Sequence, residues 1–120
     1  VNRYIMLQPD MNIPFIFMQS VEEGELAFIV ANPFTYFPDY DFKLPDAIQA
    51  ELDIQDETEV MVFNLVSINE MDEFSMNLLA PVVLNMRLKQ GKQVILHQTE
   101  YKTKHLMVTQ EQKQLHGEGE

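Results

Sequence analysis

Hydrophobic residues in this chain alternate with polar ones or gather in short blocks, and long helical periodicity is almost absent. Short blocks of this kind are typical of β-strands. They predict six strands: Tyr4–Leu7, Phe15–Gln19, Leu26–Ala31, Glu59–Ile68, Val82–Leu88 and Gln93–His97. The pattern therefore predicts a mainly β fold.

The two longest blocks differ in the faces that they bury. Residues 60–68 are apolar on both alternating faces, with two polar interruptions, which predicts a central strand covered on both sides. Residues 82–88 are apolar on one face and carry Asn85 and Arg87 on the other, which predicts a half-exposed strand. Gly24 and the Gln90-Gly91 pair predict tight turns, so antiparallel hairpins are favoured.

One short helix is predicted after residue 44. Pro45 suits a first helical position, and the Asp46 carboxylate complements the positive end of the helix dipole. Apolar residues follow at helical spacing for about two turns. From Thr109 onward the apolar pattern is lost. We therefore predict one β domain over residues 1–108 and a polar, disordered tail over residues 109–120.

The composition fits this organisation and excludes several kinds of site. A chain of 120 residues with 46% hydrophobic residues is long enough for one domain with a modest core. It contains no cysteine, so disulfides and thiolate chemistry are excluded. The chain contains no run of eighteen apolar residues, so no membrane-spanning helix is predicted.

The charge is strongly acidic and unevenly distributed. The formal net charge is −11. Residues 1–80 hold fifteen acidic and two basic side chains, a net −13, whereas residues 81–120 hold six basic and four acidic ones, a net +2. Such a surface repels nucleic-acid phosphates and anionic lipids, so we predict no direct nucleic-acid binding and no membrane binding. A basic protein partner is compatible with it, and solubility alone is the alternative explanation.

Catalytic and metal-binding patterns are absent from the sequence. His97, His105 and His116 are far apart and form none of the spacings that converge on a metal ion. The chain has neither a phosphate-binding glycine loop nor a nucleophile elbow. We therefore predict no enzymatic activity, no cofactor and no metal site.

Two groups of carboxylates are candidates for a partner-binding surface. Asp39 and Asp41 are two residues apart, so an extended backbone directs both side chains to one side. A denser group follows the predicted helix and consists of Asp53, Asp56, Glu57 and Glu59. Clusters of this kind are usually solvated loops, unless a basic partner binds them.

An aromatic segment, NPFTYFPDY, lies at residues 32–40. Pro33 and Pro38 exclude a regular strand, so a stiff turn or loop is predicted. Stiff aromatic side chains make good binding anchors, because they offer contact area at little entropic cost. We predict that Phe34 and Phe37 belong to the core. For Tyr36 and Tyr40, core packing and partner contact both remain open.

Taken in order, several segments resemble the flagellar assembly factor FliW family. The resemblance covers about residues 15–104. Its motifs are Phe17-Met18-Gln19-Ser20-Val21, Leu26-Ala27-Phe28, Asn32-Pro33-Phe34, Tyr36-Phe37-x-Asp39-Tyr40, Val60-Met61-Val62-Phe63, Asn77-Leu78-x-Ala80-Pro81-Val82-Val83-Leu84-Asn85, Gly91-Lys92-Gln93-Val94-Ile95-Leu96 and Tyr101. Family members usually have two more β segments before the stretch equivalent to Tyr4–Leu7. We expect the chain to be either truncated or a shortened relative there.

The resemblance implies a small antiparallel β-barrel-like domain without catalytic activity. FliW proteins bind flagellin in the cytoplasm, and they also bind CsrA, a dimeric RNA-binding repressor of flagellin translation. Secretion of flagellin frees FliW to sequester CsrA and restore translation. For this chain the resemblance implies the same partners and location, and we expect a monomer.

The charge and the resemblance together give a site hypothesis. CsrA must present positive surface to RNA, so the region with net charge −13 is expected to face it. The predicted partner-binding residues are Tyr36, Phe37, Asp39, Tyr40, Asp41, Asp53, Asp56 and Glu57. Two alternatives remain: a ligand-binding β-barrel with a deep apolar cavity, and a hydrolase in which scattered carboxylates converge on His97.

Overall fold

Antiparallel strand pairing dominates the computed structural model, which describes residues 2–8, 12 and 14–107. In this part of the chain the strands are β1 (Tyr4–Leu7), β2 (Ile16–Ser20), β3 (Ala27–Ala31), β4 (Val60–Ile68), β5 (Phe74–Met76), β6 (Val82–Asn85), β7 (Gln90–Gln93) and β8 (His105–Leu106). The helices are α1 (Pro33–Tyr36) and α2 (Asp46–Glu51), with a 3₁₀ turn at Glu57–Glu59.

The strands form one sheet around β4. The order is β1-β2-β3-β4-β5-β8, and β6 pairs with β4 and β7. The 60–63 part of β4 pairs with β6, and its 66–68 part pairs with β5. The sheet curls into an open half-barrel, which confirms the predicted mainly β, barrel-like fold. The middle of β4 is buried on both faces, as predicted, through Phe63, Asn64 and Val66.

The predicted strands agree with the structure best in the first half of the chain. β1 has the predicted bounds, β3 and β4 each begin one residue later than predicted, and β2 is shifted by one residue at both ends. Gln93–His97 is wrong as a strand, because the strand there is β7 and ends at Gln93. Val94 and Leu96 are nevertheless buried, and their amides bond to the Pro81 and Leu79 carbonyls at 2.8 and 2.9 Å. The alternating apolar pattern at Val94 and Leu96 therefore reflects packing in the core and not a regular strand.

The turn before β7 also differs from the prediction. It occupies residues 86–89, and Lys89 takes the left-handed conformation with φ of 55°. Gly91 lies inside β7 instead, where a Cβ atom would collide with the Leu84 side chain. Asn85 is fully buried, so the prediction of a half-exposed strand over 82–88 is wrong. The side chain of Asn85 accepts bonds from the Arg87 and Leu88 amides, which ends the strand.

Two features of the helices follow from local sequence. The helix predicted after residue 44 is α2, but Pro45 is its N-cap residue and not its first helical residue as predicted, because α2 begins at Asp46. The aromatic segment, predicted as a turn or loop, contains the one-turn helix α1. Asn32 caps it by accepting a bond from the Phe34 amide at 2.9 Å, and Pro33 occupies the first helical position.

Two clusters of buried residues form the core. The first contains Ala31, Tyr40, Val66, Met76, Leu78 and Met107. The second contains Leu52, Val83, Val94 and Leu96. Phe42 and Tyr101 pack against both clusters, so residues 40–44 join them. Within the described residues, no helix is long and apolar enough to cross a membrane. The predicted tail, residues 109–120, lies outside the described residues.

Candidate functional site: an acidic groove beside the aromatic segment

The aromatic residues of the predicted site divide between core and surface. Tyr40 is 5% exposed and belongs to the first core cluster, so core packing describes it. Tyr36 and Phe37 are partly buried against the same cluster. Phe34 is 43% exposed, so its prediction as a core residue is wrong. In the single turn of α1, Pro33 is the buried residue, and Phe34 follows it on a more exposed side.

The Tyr40 hydroxyl is the centre of a buried hydrogen-bond network. It donates to the Leu78 carbonyl at 2.8 Å and accepts from Asn64 Nδ2 at 3.3 Å. Asn64 Nδ2 also donates to the Asn77 carbonyl at 2.8 Å. Burial raises the pKa of Tyr40 above its ordinary value. This network fixes the 77–81 connection between β5 and β6, so Tyr40 positions structure rather than presenting a surface.

The five carboxylates of the predicted site, Asp39, Asp41, Asp53, Asp56 and Glu57, are exposed, whereas Glu59 from the same acidic group is half-buried. The exposed ones are not equally available. Arg87 forms ion pairs of 3.2 Å with Asp53 and with Glu59. Asp56 accepts a hydrogen bond from the Thr58 amide at 3.1 Å and thereby caps the 3₁₀ turn. Within the described residues, Asp39, Asp41, Asp56 and Glu57 take part in no ion pair. These four carboxylates are therefore free to meet a cation from outside.

A surface groove of about 660 Å³ brings the two acidic segments together. We call it the acidic groove. Its polar lining residues are Asp41, Lys43, Gln49 and Glu57. Its apolar lining residues are Phe34, Phe42, Leu44, Ile54, Val60 and Val83. Asp41 and Glu57 thus border the same apolar surface, although they are 16 positions apart in sequence. Their spacing along the chain does not reveal this proximity.

Hydrogen bonds hold the segment that borders the groove. The Asp41 amide donates to the Tyr101 hydroxyl at 3.1 Å, and Gln49 Nε2 donates to the Leu44 carbonyl at 2.8 Å. Val83 is fully buried beneath, and Phe42, Leu44, Ile54 and Val60 pack against the second core cluster. The groove is therefore built on core residues and has its shape without a ligand.

The histidines do not form a catalytic or metal centre in the described part of the chain. His97 is exposed, and no carboxylate is bonded to it among the described residues. His105 Nε2 accepts the Lys102 amide at 2.8 Å, and burial together with the Lys102 charge lowers the pKa of His105. His116 lies outside the described residues. Among those described, no three acidic or histidine side chains could hold a metal ion.

Sequence reasoning missed several residues that shape this site. Asn64 and Asn85 are fully buried polar side chains, and Phe42 and Ile54 line the groove. An asparagine inside an otherwise apolar block, as at position 64, is the one sequence signal that pointed to a buried polar contact. The groove residues carry no such signal, because their proximity depends on how residues 41–60 pack against β4 and β6.

Comparison with known proteins identifies the family of this fold and site. The FliW family model, described as FliW protein, matches residues 1–107. This chain belongs to the FliW family. The flagellar assembly factor FliW of Alkaliphilus metalliredigens (strain QYMF) is 40% identical over 113 residues, which cover 92% of this chain and 70% of the relative. FliW of Desulfitobacterium hafniense (strain DSM 10664 / DCB-2) is 37% identical over 117 residues, or 97% of this chain and 77% of the relative.

The fold of FliW is known from a solved structure as well. This chain superposes on a solved structure, described as "Crystal structure of the flagellar assembly factor FliW", with a TM-score of 0.80 at 39% sequence identity. The match covers 86% of this chain and 72% of the other chain. The FliW resemblance predicted from the motifs is thus confirmed over almost the whole described chain.

Proposed function

We propose that this chain is a non-enzymatic FliW-type regulator that binds flagellin and, when free of flagellin, binds CsrA in the cytoplasm. Both partners come from the family resemblance. The observation that carries the proposal is that four carboxylates of the predicted site, Asp39, Asp41, Asp56 and Glu57, are exposed and form no ion pair in the described chain. An RNA-binding repressor offers the positive surface that such a set attracts.

In this proposal, electrostatic repulsion is the means by which binding of this chain to CsrA releases RNA from CsrA. A protein of net charge −11 that binds beside the basic surface of CsrA lowers the positive potential that holds RNA phosphates. Exposed carboxylates steer the encounter and are screened by salt over about 10 Å at ~0.1 M ionic strength. Association with CsrA is therefore expected to be faster and tighter at low salt.

The deciding experiment is a pull-down with purified flagellin and purified CsrA, first separately and then in competition. The expected result is that each protein binds alone and that added flagellin releases CsrA. If neither binds, the proposed function is wrong. An ionic-strength series on the CsrA complex tests the electrostatic part by itself, because a flat response would remove it while leaving the binding intact.

The oligomeric state belongs to the same proposal. We expect the chain to be a monomer before it meets a partner, and light scattering on the purified chain measures this directly. A dimer at micromolar concentration would contradict that part. The proposal needs no cofactor and no metal ion, so treatment with a chelator is expected to leave binding of both partners unchanged.

A further inference from the structure

The acidic groove combines apolar surface with free negative charge. Phe42, Leu44, Ile54 and Val60 offer apolar atoms to solvent above a fully buried Val83. Because these residues pack on the second core cluster, they cannot collapse further to hide that surface. Covering it with a large apolar side chain of another molecule is therefore favourable.

The charges around this apolar surface select the kind of molecule that can cover it. Asp41 and Glu57 line the groove, and Lys43 is the one cation among its lining residues. Asp39 and Asp56 stand beside them in sequence, and all four carboxylates lack an ion-pair partner in the described chain. The local charge is negative, so an acidic ligand is repelled. An uncharged apolar ligand would leave desolvated carboxylates without compensation.

The groove is also pre-organised. Tyr101 holds the backbone of the loop at Asp41, and Gln49 holds it at Leu44 through bonds of 3.1 and 2.8 Å. A partner segment that enters does not need to order this loop, so less of its binding energy is lost to entropy. The cost is confined to ordering the partner's own segment.

From these three properties we propose that the acidic groove docks a short segment of a protein partner in which a large apolar side chain is flanked by lysine or arginine. The apolar side chain covers Ile54 and Leu44, and the flanking cations face Asp41 and Glu57. This inference rests on the proposed function as a partner-binding protein, and it names the surface and the chemistry of the segment that is bound.

Synthetic peptides test the segment chemistry directly. The probes are twelve-residue peptides of alternating leucine and lysine, serine and lysine, and leucine and glutamate. Binding to the full chain is followed by the chemical shifts of the amides from Asp41 to Leu44 and of the Ile54 methyl groups. The leucine–lysine peptide is expected to shift these signals. The leucine–glutamate peptide is expected not to bind, and the serine–lysine peptide to bind at least about tenfold more weakly.

Charge reversal supplies the matched control. D41K/E57K is expected to weaken leucine–lysine peptide binding by about tenfold or more. E23K/E25K makes the same change in net charge at exposed residues of the turn between β2 and β3, and it is expected to leave the affinity within about twofold. Ile54→Glu places a charge on the apolar surface and is expected to abolish binding. Thermal melting of each variant verifies that the fold is retained.

Three results would overturn the inference. They are no binding of the leucine–lysine peptide, equal weakening by the two double variants, and chemical-shift changes confined to residues away from the groove. Failure here is distinguishable from failure of the proposed function. Flagellin or CsrA capture without peptide binding would place the partners elsewhere on the chain, whereas peptide binding without either capture would leave the groove with a different protein partner.

Discussion

The Tyr40 hydroxyl donates a 2.8 Å hydrogen bond to the Leu78 carbonyl, 38 residues further along the chain. This bond ties the end of the aromatic segment to the connection between β5 and β6. Asn64, in the middle of β4, supports the contact by donating to the Tyr40 oxygen and to the carbonyl of Asn77, the residue before Leu78. Since Tyr40 also packs against Phe42 with ring centroids 5.5 Å apart, it anchors the loop that borders the acidic groove.

Removal of the Tyr40 hydroxyl tests this anchor. Tyr40→Phe is expected to lower the free energy of unfolding by about 1–2 kcal/mol, because the buried Leu78 carbonyl loses its donor. Urea denaturation measures the change. Tyr36→Phe is the control, since the Tyr36 hydroxyl has no hydrogen bond to the described residues, and it is expected to cost less than about 0.5 kcal/mol. Equal costs for the two variants would contradict the assignment.

Asn85 is expected to be essential for the turn that follows β6. Its amide nitrogen donates to the Leu52 carbonyl at 2.7 Å, and its oxygen accepts from the Arg87 amide at 2.9 Å. Asn85→Ala leaves buried backbone groups unpaired, so a loss of about 2–3 kcal/mol is expected in urea denaturation. Gln90→Ala, at an exposed strand position, should change stability by no more than about 0.5 kcal/mol. An Asn85→Ala variant as stable as the wild type would refute this role of Asn85 in the turn.

Stability is expected to fall on acidification through His105. Its folded-state pKa lies below the ordinary value of 6.5, because burial and Lys102 disfavour the imidazolium, and its Nε2 accepts the Lys102 amide. A lowered pKa means that the unfolded chain takes up the proton first. The stabilisation is therefore complete above the unfolded pKa and is lost as the pH falls through the folded one.

Urea midpoints of the wild type and His105→Gln, compared at about pH 7.5 and about pH 5, isolate this contribution. The wild type is expected to lose more stability than the variant across that interval. Parallel losses would assign the acid sensitivity to carboxylates instead.

Arg87 is expected to restrain association with CsrA, one of the two partners that we propose. It neutralises Asp53 and Glu59 through ion pairs of 3.2 Å, so Arg87→Gln frees both carboxylates for a basic partner. The expected gain in affinity at low salt is about threefold, measured by titration calorimetry. Arg3→Gln, which removes the Arg3–Glu22 ion pair beside β1, is the control of equal charge change. A similar gain from both variants would mean that only net charge matters.

Local patterns predicted much of the fold, because strands and caps depend on neighbouring residues. The four residues of β1 and the start of α2 after Pro45 were predicted closely. The short strands β5 and β8 were not predicted, because two or three residues are too few to show an alternation of apolar and polar positions. Gly91 was predicted to form a turn, but it lies inside β7, where an added Cβ atom would meet the Leu84 side chain on the neighbouring strand.

The sequence by itself determined the β character, the acidic charge and, through the order of its motifs, membership of the FliW family. Only the tertiary structure decided that Tyr40 is buried, that Asp53 is paired with Arg87, and that Asp41 and Glu57 line one groove. The physical reason is the separation along the chain between the residues that determine each property. Strand patterns and net charge are properties of neighbouring residues or of simple sums, whereas burial and ion pairing depend on contacts between segments that meet only in the folded chain.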